Sequence, residues 1–230
     1  MKLTQINGDV LDLSTSQKFL DFASKGYSKS SLIVDQFNTG KFPPIPRGKT
    51  FLDIGGNVGL FSLFAAPYYE KLVILEPTPE HVEVAQDLIH CMGLGDKIEI
   101  VEKAYWPFDE TVTFNVGEIN STMNSISSCN QVQQRTITVD CVTLETLFDQ
   151  YPDIDFIKMD IEGAENTAYL HEDFKHVTKA KRLLMEVHSF PDLNIENIIK
   201  NVNKIQTHLV TSGMKTLSII RDELYMSGSS

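Results

Sequence analysis

The chain has 230 residues, of which 42% are hydrophobic, and its 20 Lys and Arg against 31 Asp and Glu give a formal net charge of −11. The apolar fraction is enough for a sizeable core and excludes wholesale disorder, and the length fits one α/β domain better than two. The charge argues against nucleic acid and anionic membrane as partners, because both are bound mainly through phosphates. A small ligand, especially a cationic one, is compatible with it.

Cysteine usage and the first residues indicate the compartment. Three cysteines without a CxxC pair argue against a disulfide framework. Residues 1–16 contain no apolar segment typical of a signal peptide. We therefore expect a cytoplasmic protein.

Residues 1–49 are predicted to form an irregular lead-in or lid segment with a helical piece, and residues 50–230 the main domain of a single globular unit. Short apolar runs in the main domain are rich in Leu and β-branched residues, as buried parallel strands are. Their positions are 50–54, 72–75, 98–101, 156–161 and 183–187.

Helical patterns separate these runs. Thr78 and Pro79 are typical of a helix start, apolar residues then recur at helical spacing from Ala85, and Gly93 suits the helix end. A second apolar stripe covers 195–209. Alternating strands and helices predict a parallel sheet with helices on both faces.

Two regions depart from this alternation. Residues 111–116 and 135–142 alternate apolar and polar side chains, which predicts an inserted antiparallel strand pair. Residues 215–220 and 223–227 predict a C-terminal antiparallel hairpin, which is not typical of nicotinamide-binding domains. The fold class is therefore α/β, with a mostly parallel sheet and these two additions.

A glycine turn follows the first strand and reads D-x-G-x-N-x-G, with Asp53, Gly55, Asn57 and Gly59 at its fixed positions. Glycines at a strand-to-helix turn let the backbone approach a ligand closely. The nicotinamide fingerprint GxGxxG requires glycine where Asn57 stands. The Asp53 carboxylate would repel a pyrophosphate but favour a cationic ligand.

Each of the five predicted strands carries an acid at or near its carboxyl end. In an open parallel sheet these ends lie along one edge, where ligands bind. The acid that ends the second strand is the usual acceptor for both ribose hydroxyls of an adenosine-containing ligand. Such an edge suits S-adenosylmethionine (SAM), which has an adenosine and a sulfonium cation but no phosphate. The acids are Asp53, Glu76, Glu102, Asp160 and Glu186.

The stretch from about residue 50 to 188 contains, in this order, FLDIGGNVGLFS, LEPTPE, TVDCVTLETL, DFIKMDIEGAE and LLMEVH. These segments resemble the successive motifs of FkbM-type methyltransferases. The resemblance implies a Rossmann-like class I methyltransferase fold and SAM-dependent methyl transfer, typically to oxygen. The expected acceptor is a hydroxyl on a sugar or other small molecule.

The resemblance also assigns residue roles. It makes the glycine turn part of the cofactor site, with Gly56 standing where alanine is common. It implies that Glu76 holds the ribose, that the stretch from Glu102 to Ala104 lies beside the adenine, and that Asp160 lies near the methionine end or the reacting oxygen. The polar loop 120–128 parallels a stretch in relatives and is expected to cover the acceptor.

Asp160, Glu186 and His188 form the candidate catalytic cluster. Glu186 and His188 point to one side of a strand end, because the strand period is two, and His188 is the candidate general base. The alternatives are a helix-capping Asp160 and a merely hydrogen-bonded Glu186–His188 pair. The three could also hold Mg²⁺ to orient and acidify a hydroxyl, although the sequence has no compact metal motif.

Several charged side chains are expected to be structural. Glu162 and Glu165 suit solvated acids in a first helical turn, and His81 is expected at the surface with the other histidines outside the cluster. Two rival functions stay open, a nicotinamide-dependent oxidoreductase and a non-catalytic SAM-binding protein. The sequence does not indicate the oligomeric state.

Overall fold

A computed structural model describes residues 2–4, 10–24, 45–117, 134–187, 200, 203 and 217–221. The strands are β1 (Lys2–Thr4), β2 (Val10–Asp12), β3 (Gly48–Ile54), β4 (Tyr69–Leu75), β5 (Ile98–Val101), β6 (Ala104–Tyr105), β7 (Thr111–Gly117), β8 (Gln134–Val142), β9 (Ile154–Met159), β10 (Arg182–Val187) and β11 (Leu217–Arg221).

Described helices lie between β2 and β3, β3 and β4, β4 and β5, β8 and β9, and β9 and β10. The α-helices are α1 (Gln17–Ser24), α2 (Leu60–Ala65), α3 (Pro79–Cys91), α4 (Leu144–Gln150) and α5 (Glu165–Ala168), and 3₁₀ helices lie at Leu13–Thr15, Ala66–Tyr68 and Glu172–Lys179. Among the described residues, no helix is long and apolar enough to span a bilayer.

The central sheet orders its described strands as β11–β10–β9–β3–β4–β5, and every neighbouring pair in it runs parallel. The chain enters this sheet at its middle strand, β3, and continues outward through β4 and β5. It then returns to the other side of β3 as β9. The strand order therefore reverses between β3 and β9, and ligands bind at such a switch point, beyond the carboxyl ends of the strands. The predicted α/β fold with a mostly parallel sheet is confirmed.

The two faces of the sheet bury separate apolar clusters, as strand periodicity requires. On one face, Leu52 of β3 and Ile157 of β9 pack with α4 and the 3₁₀ helix Glu172–Lys179. On the other, Phe51 and Phe156 pack with α1, α2 and α3. Both faces are covered, so the central strands read as continuous apolar runs.

Helix α3 begins and ends where the sequence predicts. Thr78 occupies the N-cap position, although its side chain accepts no capping hydrogen bond there, and Pro79 follows. Gly93 ends the helix with φ of 65°, and the Leu94 N–H donates to the Ile89 carbonyl at 3.0 Å. This backbone pattern needs a left-handed residue, which glycine supplies without strain.

The predicted inserted pair is confirmed, because β7 and β8 pair antiparallel from Thr111↔Asp140 to Gly117↔Gln134, and β8 also pairs parallel with β6. At the other end of the chain, β11 pairs directly and in parallel with β10. The second strand of the predicted hairpin, 223–227, lies outside the described residues, as does most of the stripe at 195–209.

Candidate functional site

Asp53, the glycine turn and Asp160 lie where β3 and β9 end side by side. Asp53 and Lys158 are register partners on these strands. Their side chains lie on the sheet face that carries α2, because Phe51 and Phe156, two residues earlier, pack there. The glycine turn continues from β3, and Asp160 continues from β9.

Lys158 is the central contact of this edge, and its side chain is only 6% exposed. Its Nζ donates to the Gly55 carbonyl at 2.9 Å and lies 3.3 Å from Asp53 Oδ1 and 3.4 Å from Asp160 Oδ2. Glu186 adds a third carboxylate within electrostatic reach. Burial alone would lower the pKa of Lys158, but the three carboxylates outweigh it and raise the pKa. Lys158 therefore stays a buried cation.

Asp53 is completely buried between the sheet and α2. Ser62 Oγ donates to its Oδ2 at 2.7 Å, and Lys158 faces its Oδ1. Burial raises the pKa of Asp53, against the opposing effects of Lys158 and Ser62. The first acid of the glycine turn thus serves as a counter-ion that holds Lys158 against the turn.

Gly55 brings the turn after β3 into backbone contact with the turn after β9. Its φ is 74°, and a Cβ there would lie 1.8 Å from the Asp160 carbonyl oxygen. The Asp160 N–H donates to the Ile54 carbonyl at 3.0 Å beside it. At Gly56, a Cβ would lie 2.4 Å from Ile74 Cγ2, so packing in this chain disfavours the alanine common at that position.

Glu76, at the end of β4, is nearly buried and accepts hydrogen bonds from two turns. Its Oε2 accepts from the Asn57 N–H at 2.9 Å, and its Oε1 accepts from the Thr78 N–H at 2.8 Å and faces His81 Nδ1 at 3.3 Å. Burial alone would raise the pKa of Glu76, but the contacts with His81 and Thr78 outweigh it and lower the pKa. The carboxylate is therefore ionised at neutral pH.

The acids that follow β9 are arranged differently from the sequence expectation. Glu165 is fully buried rather than solvated, and its carboxylate accepts from the Ile161 N–H at 2.8 Å and the Gly163 N–H at 2.7 Å. It closes the turn in which Glu162 adopts a positive φ of 52°. Asp160 is partly exposed just before this turn and does not cap α5, whose N-cap is Ala164.

The remaining predicted residues lie farther along the edge or outside the described residues. Glu102 is exposed after β5, where its Oε1 lies 3.5 Å from Gln86 Nε2. Ala104 is buried and pairs with Cys141 of β8. Glu186 is half-buried near the end of β10. His188 and the polar loop 120–128 lie outside the described residues.

No metal-binding cluster is found among the described residues, which exclude His188: no group of three or more His, Cys, Asp or Glu side chains there could hold a metal ion. Positive charge between Asp53 and Asp160 is instead supplied by Lys158. The described residues therefore give the Mg²⁺ alternative no support.

The sequence analysis did not single out Lys158 as a site residue, and it expected His81 at the surface. Lys158 interrupts the apolar run of β9, and a lysine in a buried run is a signal of a paired charge. His81, expected at the surface, is 2% exposed. Its signal was spacing, because it shares a helical face with Ala85 and Leu88, four and seven residues on.

The fold and this edge define a Rossmann-like α/β domain with a cluster of acidic side chains at its switch point. The family described as the methyltransferase FkbM domain matches residues 53–206, more than half of the chain. The chain therefore belongs to the FkbM methyltransferase family, whose general activity is SAM-dependent methyl transfer. No match was found among curated proteins.

Solved structures resemble parts of this chain at low sequence identity. A precorrin 8w decarboxylase from Methanobacterium thermoautotrophicum is 10% identical, with 70% of this chain and 48% of that chain covered and a TM-score of 0.28. An rRNA methylase from Streptococcus thermophilus is 9% identical, with 78% and 65% covered and a TM-score of 0.32. PRMT6 is 14% identical, with 87% and 46% covered and a TM-score of 0.35. The chain spans less than two thirds of each of these proteins.

Proposed function

We propose that this protein is a SAM-dependent O-methyltransferase that methylates a hydroxyl of a sugar or another small molecule. The observation that carries the proposal is the row of acidic side chains at the switch-point edge. Glu76, Asp160 and Glu186 lie at the carboxyl ends of β4, β9 and β10, in a member of a methyltransferase family. SAM would supply the methyl group on a sulfonium cation.

The carboxylates of this edge suit the two polar parts of SAM, its ribose and its sulfonium cation. A carboxylate has about four acceptor positions, and the three contacts on Glu76 leave one on Oε2, beside Asn57, for a ribose hydroxyl. Among the described residues, the carboxylates near Asp160 outnumber the one cation that faces them, Lys158, so this end favours a positively charged ligand. In this proposal Asp53 and Gly55 act on the cofactor through the shape of the turn, and the stretch from Glu102 to Ala104 borders the adenine.

An acceptor hydroxyl must lose its proton as it is methylated. We assign this step to the cluster of Asp160, Glu186 and His188, with His188 as the general base and the two carboxylates orienting the imidazole and the hydroxyl. The edge would also hold the hydroxyl in line with the methyl group and exclude water.

The glycine turn disfavours the rival nicotinamide-dependent oxidoreductase. In dinucleotide-binding domains the N–H groups of this turn face a pyrophosphate. Here the Asn57 N–H donates to the Glu76 carboxylate and is not available to a phosphate. An anionic pyrophosphate would meet the ionised Glu76 carboxylate at this position.

Titration calorimetry and a methyl-transfer assay test the proposal. The wild type should bind SAM and S-adenosylhomocysteine (SAH) but not NAD, and should transfer label from methyl-labelled SAM to a member of a panel of sugars and small hydroxyl compounds. His188→Ala should lower this rate about 10²- to 10⁴-fold with nearly unchanged SAM affinity. NAD binding without SAM binding would favour the oxidoreductase. SAM binding without transfer to sugars, small alcohols, RNA or protein would favour the non-catalytic alternative.

A further inference from the structure

We propose that His81, supported by helix α1, is a positioning residue for cofactor binding, because it orients the carboxylate of Glu76 toward the ligand edge. The inference rests on the proposed function, in which Glu76 accepts a ribose hydroxyl of SAM. It gives a role in the site to a histidine in the first turn of α3 and to a helix that lies outside the family match.

The two carboxylate oxygens of Glu76 have different hydrogen-bond partners. Oε1 is held from one side by the Thr78 N–H and His81 Nδ1, both at the start of α3. Oε2 accepts a single described hydrogen bond, from the Asn57 N–H. Fixing Oε1 in this way stops the carboxylate from rotating, so that Oε2 keeps a constant direction for a further donor.

The position of the His81 ring is itself fixed by α1. The Phe22 ring meets the imidazole edge-on, with centroids 5.6 Å apart and an interplanar angle of 89°. Helix α1 is tied to α3 by Ser16 Oγ, which donates to Asp87 Oδ2 at 2.6 Å, and by an ion pair between Lys18 and Glu83. The contact path therefore runs from α1 through His81 to Glu76.

A buried carboxylate needs all of its donors, because each missing hydrogen bond leaves desolvated charge uncompensated. Without the imidazole, the carboxylate of Glu76 would keep the Thr78 and Asn57 N–H groups but lose the side chain that fills the space beside Oε1. The carboxylate would then be held by the two backbone N–H groups alone, its orientation toward a ribose would be less restricted, and ligand affinity would fall.

The test is titration calorimetry with SAH, together with melting temperatures of the ligand-free proteins. His81→Ala should weaken SAH binding about 10-fold, and His81→Asn, whose amide places an N–H near the position of Nδ1, should recover most of the loss. His90→Ala is the matched control, because His90 is an exposed histidine in the last turn of the same helix, and it should bind as the wild type does. Phe22→Leu should weaken binding less than His81→Ala does, without perturbing any group in contact with the ligand.

A double-mutant cycle separates positioning from a general structural effect. In a Glu76→Ala background, His81→Ala should cause no further loss of SAH affinity, because the carboxylate that it orients is gone. Losses that add, or a His81→Asn variant as weak as His81→Ala, would overturn the inference. If Glu76→Ala weakens binding and His81→Ala and Phe22→Leu do not, only the inference fails. If the wild type does not bind SAH, the proposed function fails as well.

Discussion

Lys158 supports the candidate site at the level of single residues. We expect Lys158→Met to lower the free energy of unfolding by about 3–5 kcal/mol, because it leaves Asp53 buried without its cation. Urea unfolding followed by circular dichroism measures the change. Lys175→Met is the control, since its ion pair with Glu172 is exposed, and it should change stability by less than about 0.5 kcal/mol. Equal stability of the two variants would contradict the role of Lys158.

Glu76 should make the protein sensitive to acid. Its pKa in the folded protein lies below the ordinary value of 4.5, so the stability it contributes is present above that pH and is lost as the pH falls through the folded pKa. Glu76→Gln should therefore show a shallower loss of unfolding free energy between pH 6 and pH 3 than the wild type. Glu70→Gln, at an exposed position of β4, should follow the wild-type curve. A Glu76→Gln curve parallel to the wild type would show that this carboxylate is not held as described.

The sequence predicted which acids lie at the strand ends, but it did not predict their partners. The acids at the strand ends could be predicted because each follows an apolar run directly in the sequence. The partners of these acids could not, because Lys158 and Gly55 are 103 residues apart and no local pattern encodes their contact. Glu165 was assigned to solvent because first-turn acids are usually solvated, and only the folded turn shows two N–H groups directed at it.

At the level of elements, the sequence predicted the central strands closely and their ends less well. The strand at 98–101 agrees at both ends, whereas the strand predicted at 156–161 is Ile154–Met159. The prediction extended that strand to Ile161 because Ile161 is apolar. In the structure Ile161 already belongs to the turn that Glu165 closes. The direct pairing of β11 with β10 could not be predicted, because periodicity does not specify the neighbour of a strand.

The backbone contact between the turns after β3 and β9 can be tested by comparing two glycines, Gly55 in the turn after β3 and Gly93 at the end of helix α3. Gly55 and Gly93 share a positive φ, of 74° and 65°, but a Cβ would strike the Asp160 carbonyl at Gly55 and meet nothing within 4 Å at Gly93. Gly93→Ala should cost about 1–2 kcal/mol of unfolding free energy, from left-handed strain alone. Gly55→Ala should cost more than about 4 kcal/mol or prevent folding. Similar melting temperatures for the two variants would mean that the turns after β3 and β9 do not touch.

At the level of the whole molecule, the chain carries a net charge of −11, and its candidate site also contains several carboxylates. Charge of this sign repels phosphate-rich polymers, and their binding would require a basic surface. We expect no change in the fluorescence anisotropy of labelled RNA or duplex DNA at 50 mM salt and micromolar protein. Salt-dependent binding to either polymer would contradict the small-molecule acceptor that we propose.

The switch point between β3 and β9 also has a kinetic consequence. The candidate site exists only after strands from distant parts of the chain have paired, and closing so long a loop is slow. SAH should therefore find no site until folding is nearly complete, and its binding energy should act on the native state alone. Saturating SAH should slow unfolding in denaturant and leave the refolding rate unchanged, as measured by stopped-flow fluorescence. The ligand would then lengthen the lifetime of the folded enzyme without helping the chain to reach it.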